Sequence, residues 1–367
     1  MIDKRLEKLA DILVNHSLGI KKNDLFLISG GSIAAPLIKE VYRQALKLGA
    51  YPYTRIDIEG LAEVYYKNAS EKQLKYVSPI TEFEIKNIDA RLGIMCPENT
   101  RSLTNIDPKR QSINSAAQQH IQQIFLDRAA KKKLRWCLTQ YPTNAAAQDA
   151  EMSLGEYEDF IFKAAHVDSK DPIKFWKKMY VDQEKIRKLL EKKKKIHIMG
   201  RDTDLILSVT DRKWINCYGK ENFPDGEIFT GPVENSAEGF ISYSFPVSYG
   251  GREVDDIKLW FKKGKVIKAK ASKGEKFLNS MIAMDKGSNR IGEFAFGTNY
   301  GIKKYTKNTL FDEKIGGTIH IAIGSGYPET GSKNKSGLHW DMMCDLRKEG
   351  EVYADGNLIY KNGKFLL

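Results

Sequence analysis

The chain has 367 residues, of which 41% are hydrophobic and 10% aromatic, so it can bury substantial cores and is not a disordered protein. Its length predicts two domains. The 59 lysines and arginines exceed the 47 acidic residues and give a formal charge of +12. No nucleic-acid-binding motif accompanies this charge, and the lysine runs lie at the ends of helical segments, so we interpret them as solvated surface.

The N-terminal segment carries charges throughout and is not a signal peptide, and no run of about 18 apolar residues predicts a transmembrane helix. The four cysteines (Cys96, Cys137, Cys217 and Cys344) lie far apart and form no CxxC motif. This pattern argues against a zinc ribbon or a disulfide framework and fits a reducing compartment. We therefore expect a cytoplasmic protein without a membrane or nucleic-acid partner.

The first half of the chain alternates strand and helix patterns. Residues 24–30 predict a strand, residues 34–50 a helix that ends at a glycine, and residues 51–58 a second strand, which together form a βαβ unit. Further strands are predicted at 90–97 and 134–142, and further helices at 107–133 and 152–165. This order indicates a mostly parallel sheet covered by helices.

A long helix predicted at residues 171–195 leads into a segment of different character. Short strand-like runs dominate from residue 196 onward, and two hairpin signals, Asp355-Gly356 and Asn362-Gly363, lie near the end. We predict an α/β fold with two domains: an N-terminal domain with a mostly parallel sheet and covering helices at residues 1–192, and a β-rich C-terminal domain at residues 193–367.

Two of the six histidines, His320 and His339, lie in sequence contexts that suit a metal ligand. In "GGTIHIAIG" the alternation places Ile319 and Ile321 on one strand face and His320 on the other, beside small residues that leave room for its ring. In "LHWDMM" an extended chain places His339 and Asp341 on one face, which is a plausible metal clip. The remaining four are interpreted as structural or surface residues: His16, His120, His166 and His197.

Two glutamates of the second half directly follow a glycine. Glu227 stands in "DGEIFTG" and Glu293 in "RIGEFAFG", and the preceding glycine permits close backbone approach. Their apolar neighbours predict partly buried carboxylates, which need a cationic or metal partner. Nitrogen and oxygen donors without cysteine suit zinc, cobalt or manganese in a hydrolytic site, and five such ligands are enough for two ions.

The same stretches resemble the thermophilic dinuclear metallo-aminopeptidases, the aminopeptidase T family. The resemblance is carried by "DGEIFTGPVENSAEG", "DKGSNRIGEFAFGTN", "GGTIHIAIGSGYPETG" and "SGLHWDMM", and upstream by "MCPENTRSLTNIDPKRQ" and "RWCLTQYPTNAAAQDAEMSLGEYEDF". It implies that the metal ligands are Glu227, Glu293, His320, His339 and Asp341. It also implies that Tyr327 is the active-site tyrosine and that the protein forms a homodimer.

The resemblance implies that the β-rich domain is catalytic and removes the N-terminal residue from short peptides that carry a free N-terminus. Two divalent ions (zinc, cobalt, manganese or magnesium), about 3.5–4 Å apart, would activate a bridging water. We expect Glu293 to bridge them and Tyr327 to donate a hydrogen bond to the oxyanion. The segment between Tyr327 and His339 is shorter than is typical of the family, so substrate preference or the dimer contact can differ from relatives.

Three questions stay open at this stage. The general base could be Glu234, Glu238 or one of the liganding carboxylates, since nothing in the sequence selects among them. The same ligands and the basic charge would also serve a two-metal phosphoesterase or nuclease, although only Arg290 lies near the predicted ligands in sequence. A non-catalytic protein that keeps the ligands as a scaffold is the third alternative.

Overall fold

The computed structural model describes residues 3–366, and contacts divide them into two compact units. The first unit comprises the described residues up to Ile173 together with Gly219–Pro224, and the second comprises Lys174–Tyr218 and the described residues from Asp225 onward. The boundary predicted after residue 192 falls two residues beyond the end of a long helix at Pro172–Leu190. Among residues 3–366 no helix is both long and apolar enough to cross a membrane.

The first unit is built on one five-stranded parallel sheet. Helices and strands are numbered in chain order over the whole chain. The helices of this unit are α1 (Lys4–Asp11), α2 (Ala35–Lys47), α3 (Leu61–Asn68), α4 (Glu71–Leu74), α5 (Pro79–Asn87), α6 (Pro108–Ala130), α7 (Asn144–Asp149) and α8 (Leu154–Ala164). The strands are β1 (Leu25–Gly31), β2 (Tyr51–Asp57), β3 (Ala90–Met95), β4 (Arg135–Gln140) and β8 (Asn222–Phe223). They are ordered β2-β1-β3-β4-β8, and every neighbouring pair is parallel.

The second unit is rich in antiparallel strands. Its helices are α9 (Pro172–Leu190), α10 (Glu275–Ile282) and α11 (Thr309–Asp312). Its strands are β5 (Lys195–Gly200), β6 (Thr203–Ser208), β7 (Ile215–Cys217), β9 (Glu227–Thr230), β10 (Glu238–Ser242), β11 (Val247–Tyr249), β12 (Arg252–Val254), β13 (Lys258–Lys262), β14 (Lys265–Lys270), β15 (Ile291–Gly297), β16 (Thr318–Gly324), β17 (His339–Asp345), β18 (Glu351–Ala354), β19 (Asn357–Lys361) and β20 (Lys364–Phe365).

These strands form two large sheets and one small ribbon. An eight-stranded sheet has the order β14-β13-β10-β6-β5-β18-β19-β20, a five-stranded sheet has the order β17-β16-β15-β9-β7, and β11 pairs with β12. Apolar side chains from both large sheets, such as Leu205, Ile241, Phe294 and Ile321, share one buried cluster. Burial of this cluster stabilises the folded unit, since each Å² of apolar area removed from water contributes about 25 cal/mol to the free energy of folding.

The predicted α/β fold, with a mostly parallel N-terminal sheet and a β-rich C-terminal region, is confirmed. Two local predictions differ from the structure. The helix predicted at residues 171–195 ends at Leu190, and Lys195 already opens strand β5. The short helices α3, α4 and α5, between residues 61 and 87, were not predicted, because α3 buries no residue and α4 and α5 bury one each.

Candidate metal centre

The five-stranded antiparallel sheet presents two different faces. On β16 the residues Ile319, Ile321 and Ile323 belong to the shared apolar cluster. Because side chains alternate along a strand, His320 and Ala322 lie on the opposite face. The whole of β16 is buried. The face that carries His320 is therefore enclosed by the protein rather than open to water.

Strand register brings the predicted ligands together on that face. Ala322 pairs with Asp341 on β17 on one side and with Glu293 on β15 on the other. His339 pairs with Gly324, and His320 pairs with Ala295. The residues paired with these ligands, Ala322, Gly324 and Ala295, are small, so they leave space on this face of the sheet between the longer side chains.

The glycine before each glutamate is required by close packing, as the sequence predicted. A Cβ added to Gly226 would lie 2.8 Å from the Cβ of Asn299, and Gly226 has a φ of +124°. A Cβ added to Gly292 would lie 2.2 Å from the carbonyl oxygen of Ser325. Only glycine permits these approaches, which set the positions of Glu227 and Glu293.

The side chains form one continuous cluster with Glu293 at its centre. His320 Nε2 lies 3.5 Å from Glu227 Oε2 and 3.5 Å from Glu293 Oε1. His339 Nε2 lies 3.4 Å from Glu293 Oε2 and 3.5 Å from Asp341 Oδ1. The two oxygens of Glu293 therefore face different histidines, and the structure places all five predicted ligands in one site.

Both histidines are held through the nitrogen that faces away from the carboxylates. His320 Nδ1 lies 2.9 Å from the carbonyl oxygen of Glu313, and His339 Nδ1 lies 2.8 Å from that of Ser325. A carbonyl only accepts a hydrogen bond, so each Nδ1 carries the proton and donates it. Each Nε2 therefore faces into the cluster, and once it has lost its proton its lone pair has the direction found for metal-bound histidine.

The electrostatics of the cluster depend on burial and on mutual charge. Burial raises the pKa of Glu227 to about 8, although Lys314 opposes the shift. Burial alone would lower the pKa of His320, but Glu293 and Glu227 outweigh it and raise that pKa to about 10. Burial would raise the pKa of Asp341, but His339 brings it down to about 2. The cluster thus needs positive charge, which here comes from protons on the imidazoles.

Two buried oxygen atoms show where a cation fits. Glu227 Oε2 and Asp341 Oδ1 have almost no exposed surface and accept no hydrogen bond from residues 3–366. A buried carboxylate oxygen without a partner is costly unless a cation satisfies it. Potential ligand atoms of Glu227, Glu293 and His320 lie within 4.8 Å of one another, as do those of Glu293, His339 and Asp341. These donors fit divalent metal ions.

Tyr327 lies at the rim of this cluster, just after β16. Its ring centroid is 5.2 Å from that of Phe229 and 5.2 Å from that of His339, and 40% of the residue is exposed. Contact with surrounding protein, followed by the negative charges of Glu293 and Asp341, raises the pKa of the phenol above its ordinary value. The hydroxyl therefore stays protonated and available as a donor.

The short segment between Tyr327 and His339 is fixed by its own hydrogen bonds. Thr330 Oγ1 donates to the carbonyl of Tyr327 at 2.6 Å. The buried Asn334 donates from Nδ2 to the carbonyls of Gly287 at 2.9 Å and Gly324 at 2.5 Å. The segment needs few apolar residues because polar side chains bind it to the ends of the strands beside the site.

Glu313 and Lys314 belong to the site but were not selected from the sequence. Atoms of Glu313, His320 and Asp341 lie within 4.8 Å of one another, and the fully buried Lys314 ammonium contacts both Glu313 and Glu227. They lie in the irregular segment between α11 and β16, where no strand or helix period predicts a side-chain direction. The only signal was an acidic residue and a lysine a few positions before the ligand histidine.

The two glutamates considered as general base lie outside the cluster. Glu234 binds Arg212 at 2.7 Å and accepts a hydrogen bond from the backbone N–H of Lys333 at 2.6 Å. Glu238 begins β10 in the eight-stranded sheet, is exposed, and accepts from the N–H of Lys263 at 2.8 Å. Among residues 3–366 neither belongs to a group able to hold a metal. Both carboxylates bind Arg212 or backbone N–H groups away from the predicted ligands, so neither is placed to act as the general base.

A set of three carboxylates and two imidazoles on one face of a sheet fits a metal centre of the kind that metal-dependent hydrolases use. The description "Thermophilic metalloprotease (M29)" matches residues 2–365, and the chain belongs to this family of metallopeptidases. The prediction of a metal-dependent peptide hydrolase is therefore confirmed.

Relatives that align over nearly their whole length are named aminopeptidases, which is the predicted activity. The chain is 26% identical to "Aminopeptidase 2" of Geobacillus stearothermophilus, with 99% of this chain and 98% of that protein aligned. It is 25% identical to "Aminopeptidase T" of Thermus thermophilus, with 98% and 96% aligned. The solved structure of wild-type AmpT from Thermus thermophilus has a TM-score of 0.87 at 22% identity and covers both chains completely, which establishes the shared fold. The prediction of a metal-dependent aminopeptidase is confirmed by these findings.

Proposed function

We propose that the chain removes N-terminal residues from short peptides at a centre of two divalent ions held by five ligands on the enclosed sheet face: Glu227, Glu293, His320, His339 and Asp341. The observation that carries the proposal is the shared position of Glu293. It belongs to both groups of potential ligands, one with Glu227 and His320 and one with His339 and Asp341, and each of its oxygens faces a different histidine. A carboxylate so placed would hold one ion through each of its oxygens.

When bound, two divalent ions supply Lewis acidity and lower the pKa of a water so that it can act as nucleophile near neutral pH. The chain's own residues prepare this chemistry. The carbonyls of Glu313 and Ser325 hold His320 and His339 with Nε2 pointing inward. Burial of Glu293 keeps bulk water away from the reacting atoms. Because Glu234 and Glu238 lie outside the cluster, one of the clustered carboxylates would accept the proton of the water.

Tyr327 stabilises the oxyanion that forms when the scissile carbonyl is attacked. Its hydroxyl stays protonated, and its ring is held between Phe229 and His339 at the exposed rim, where a substrate enters. A donor aimed at developing negative charge is more effective in the transition state than in the ground state. Glu313 lies close enough to His320 and Asp341 to add a further carboxylate oxygen to the metal centre.

Three finer points belong to the same proposal. The ions are drawn from zinc, cobalt, manganese and magnesium, since the donors are nitrogen and oxygen. The resemblance of the sequence supports a homodimer, which size-exclusion chromatography with light scattering would test. The separated cysteines support a cytoplasmic enzyme, because free thiols persist in a reducing compartment.

The test is hydrolysis of aminoacyl p-nitroanilides by metal-stripped protein before and after zinc, cobalt, manganese or magnesium is added. We expect restored cleavage only for substrates with a free amine, and none for an N-acetylated analogue. The variant Glu293→Gln should not be restored by any metal, whereas the control Glu238→Gln should behave as wild type. Cleavage of a phosphodiester in place of the anilides would favour the two-metal phosphoesterase or nuclease. Tight metal binding without any cleavage would favour a scaffold.

A further inference from the structure

Lys314 is a fully buried ammonium that the proposed reaction leaves without a role. None of its side chain is exposed to solvent. Burying a charged group costs several kcal/mol unless partners compensate it. Its position beside the metal-binding face, rather than at a surface, suggests that its charge is needed there.

Carboxylates surround the Lys314 ammonium. It forms a close ion pair with Glu313 Oε1 and lies 3.9 Å from Glu227 Oε1. Burial would lower the pKa of Lys314, but Glu227, Glu313 and Asp225 outweigh this effect and raise it above the ordinary value. The lysine is therefore held as an ammonium by the carboxylates around it.

The two oxygens of Glu227 face different cations. Oε1 is directed to the Lys314 ammonium, whereas Oε2 lies 3.5 Å from His320 Nε2 and has no hydrogen-bond donor among residues 3–366. The ammonium at 3.9 Å attracts Oε1 by charge, and this attraction favours the orientation in which Oε2 faces His320. This geometry prepares Glu227 to bind an ion through Oε2 alone.

The backbone of the same dipeptide holds the second ligand of that ion. The carbonyl of Glu313 accepts the hydrogen bond of His320 Nδ1. Lys314 is itself fixed, since its N–H donates to the carbonyl of Phe311 at 3.0 Å and its carbonyl accepts from Asn299 N–H at 3.0 Å. His339, on the other side of the cluster, is held by Ser325 instead. The direct contacts of Lys314 are thus with Glu313 and Glu227, and the Glu313 carbonyl orients His320, whereas the orientation of His339 depends on Ser325.

The excess of negative charge in the site also favours a buried cation such as Lys314. Five buried or nearly buried carboxylates lie in or beside the site: Asp225, Glu227, Glu293, Glu313 and Asp341. Two divalent ions supply four positive charges, and a deprotonated water adds one negative charge. A permanent cation in the protein reduces this excess without occupying a position that a metal or substrate needs.

We propose that Lys314 is a positioning residue whose buried ammonium, in contact with Glu313 and Glu227, orients Glu227 so that its Oε2 faces the ion beside Glu227 and His320, and so sets the affinity of that ion. This inference rests on the proposed two-ion centre. Outer groups that orient a ligand typically change metal affinity about 10- to 100-fold. Lys314 therefore acts selectively on one of the two ions.

The test is cobalt binding to metal-stripped protein, followed by calorimetry and by the visible absorption of the bound ion, which reports its coordination. We expect Lys314→Met to weaken one of the two ions about 10- to 100-fold and to change its absorption, while the other stays at wild-type affinity. Added to His339→Ala, Lys314→Met should weaken the remaining ion. Added to His320→Ala, it should have no further effect.

Controls separate a local effect from a general one. Lys258→Met removes a lysine whose ammonium lies 3.2 Å from Asp202 on the surface, and it should bind both ions as wild type. If Lys314→Met does not fold, as judged by circular dichroism, Lys314→Gln keeps a donor without the charge and should show the same selective loss. Wild-type affinity in either folded variant overturns the inference. Wild-type protein that binds no defined number of ions would instead refute the proposed function.

Discussion

Single residues decide how closely the strands of the five-stranded antiparallel sheet approach the loops that cover the predicted ligands. A Cβ on Gly292 would meet two fixed backbone carbonyls, those of Ser325 at 2.2 Å and Gly324 at 2.5 Å. We expect Gly292→Ala to destabilise the protein by about 1–3 kcal/mol, since over-packing displaces backbone rather than a flexible side chain. It should also weaken metal binding, because the displaced residue is the neighbour of Glu293.

The matched control is Gly155→Ala in helix α8, where an added Cβ meets nothing within 4 Å. Alanine is favoured over glycine by about 0.5–1 kcal/mol in the middle of a helix and by less at Gly155, the second residue of α8, so this variant should be at least as stable as wild type. Thermal unfolding and cobalt titration of both variants would measure the two effects. A Gly292→Ala protein that unfolds at the wild-type temperature would contradict the packing argument.

Tyr327 allows a second change of a single group. Tyr327→Phe keeps the ring between Phe229 and His339 and removes only the hydroxyl. Loss of one oxyanion donor lowers kcat about 100- to 1,000-fold in enzymes where it has been removed, and we expect a fall of this order with metal affinity unchanged. Steady-state kinetics on an aminoacyl anilide would measure it. Tyr249→Phe, on the ring that packs against Trp340, is the control, and equal effects of the two variants would exclude a specific role for Tyr327.

At the scale of secondary-structure elements, alternation along β16 separates stability from chemistry. Ile321 is completely buried on the face opposite His320. Ile321→Ala should cost about 2–5 kcal/mol through lost burial and the cavity that remains, while the folded variant still binds metal as wild type does. Ile267→Ala on β14 is the control, because that side chain is 62% exposed. Chemical denaturation and metal analysis would test the pair, and loss of metal at low temperature from folded Ile321→Ala would show that the two faces are not independent.

The alternation of side chains along strands also explains which parts of the fold and site could be predicted from the sequence. A period of two places His320 opposite its isoleucine neighbours, and an i, i+2 spacing places His339 and Asp341 together. Glycine before Glu293 indicated close approach, and the structure gives the backbone carbonyl that requires it. Regular strands thus fix side-chain direction from local sequence alone.

The elements that could not be predicted lack such a period or depend on distant contacts. Lys314 lies in an irregular segment, and its burial depends on Glu227, which is far away in sequence. The helices between residues 61 and 87 expose most of their surface, so they have no strong apolar stripe. At the end of α9 the lysine run gives no apolar pattern, and pairing of Lys195 with Ser208 rather than propensity starts the strand.

For the whole molecule, metal binding and folding are coupled, because the ligands come from strands that pair only in the folded protein. A ligand that binds only the folded state stabilises it by about 2.7 kcal/mol at a concentration one hundred times its dissociation constant. We therefore expect the thermal midpoint of metal-stripped protein to rise steadily with added zinc or cobalt. Glu293→Gln should show a smaller rise. Differential scanning calorimetry would measure both, and a midpoint independent of metal would contradict the coupling.

Protons and metal ions compete for this centre, which gives binding a defined pH dependence. Burial would lower the pKa values of both histidines, but the carboxylates raise that of His320 to about 10 and that of His339 to about 12. At pH 7 the metal-free imidazoles are therefore protonated, and each must lose its proton before Nε2 can bind an ion. Metal binding should release protons, and the apparent affinity should increase as the pH rises from 6 to 9.

Calorimetric titration in buffers of different ionisation enthalpy would count the released protons. His197→Gln is the matched control, because His197 contacts Asp204 at 2.8 Å on the eight-stranded sheet and should leave the count unchanged. His339→Ala should lower the count, since it removes one proton together with one ligand. A binding enthalpy that is the same in every buffer would mean that metal binding releases no protons. The carboxylates of the metal-free protein would then be compensated by cations such as Lys314, which contacts Glu313 and Glu227, and not by protonated imidazoles.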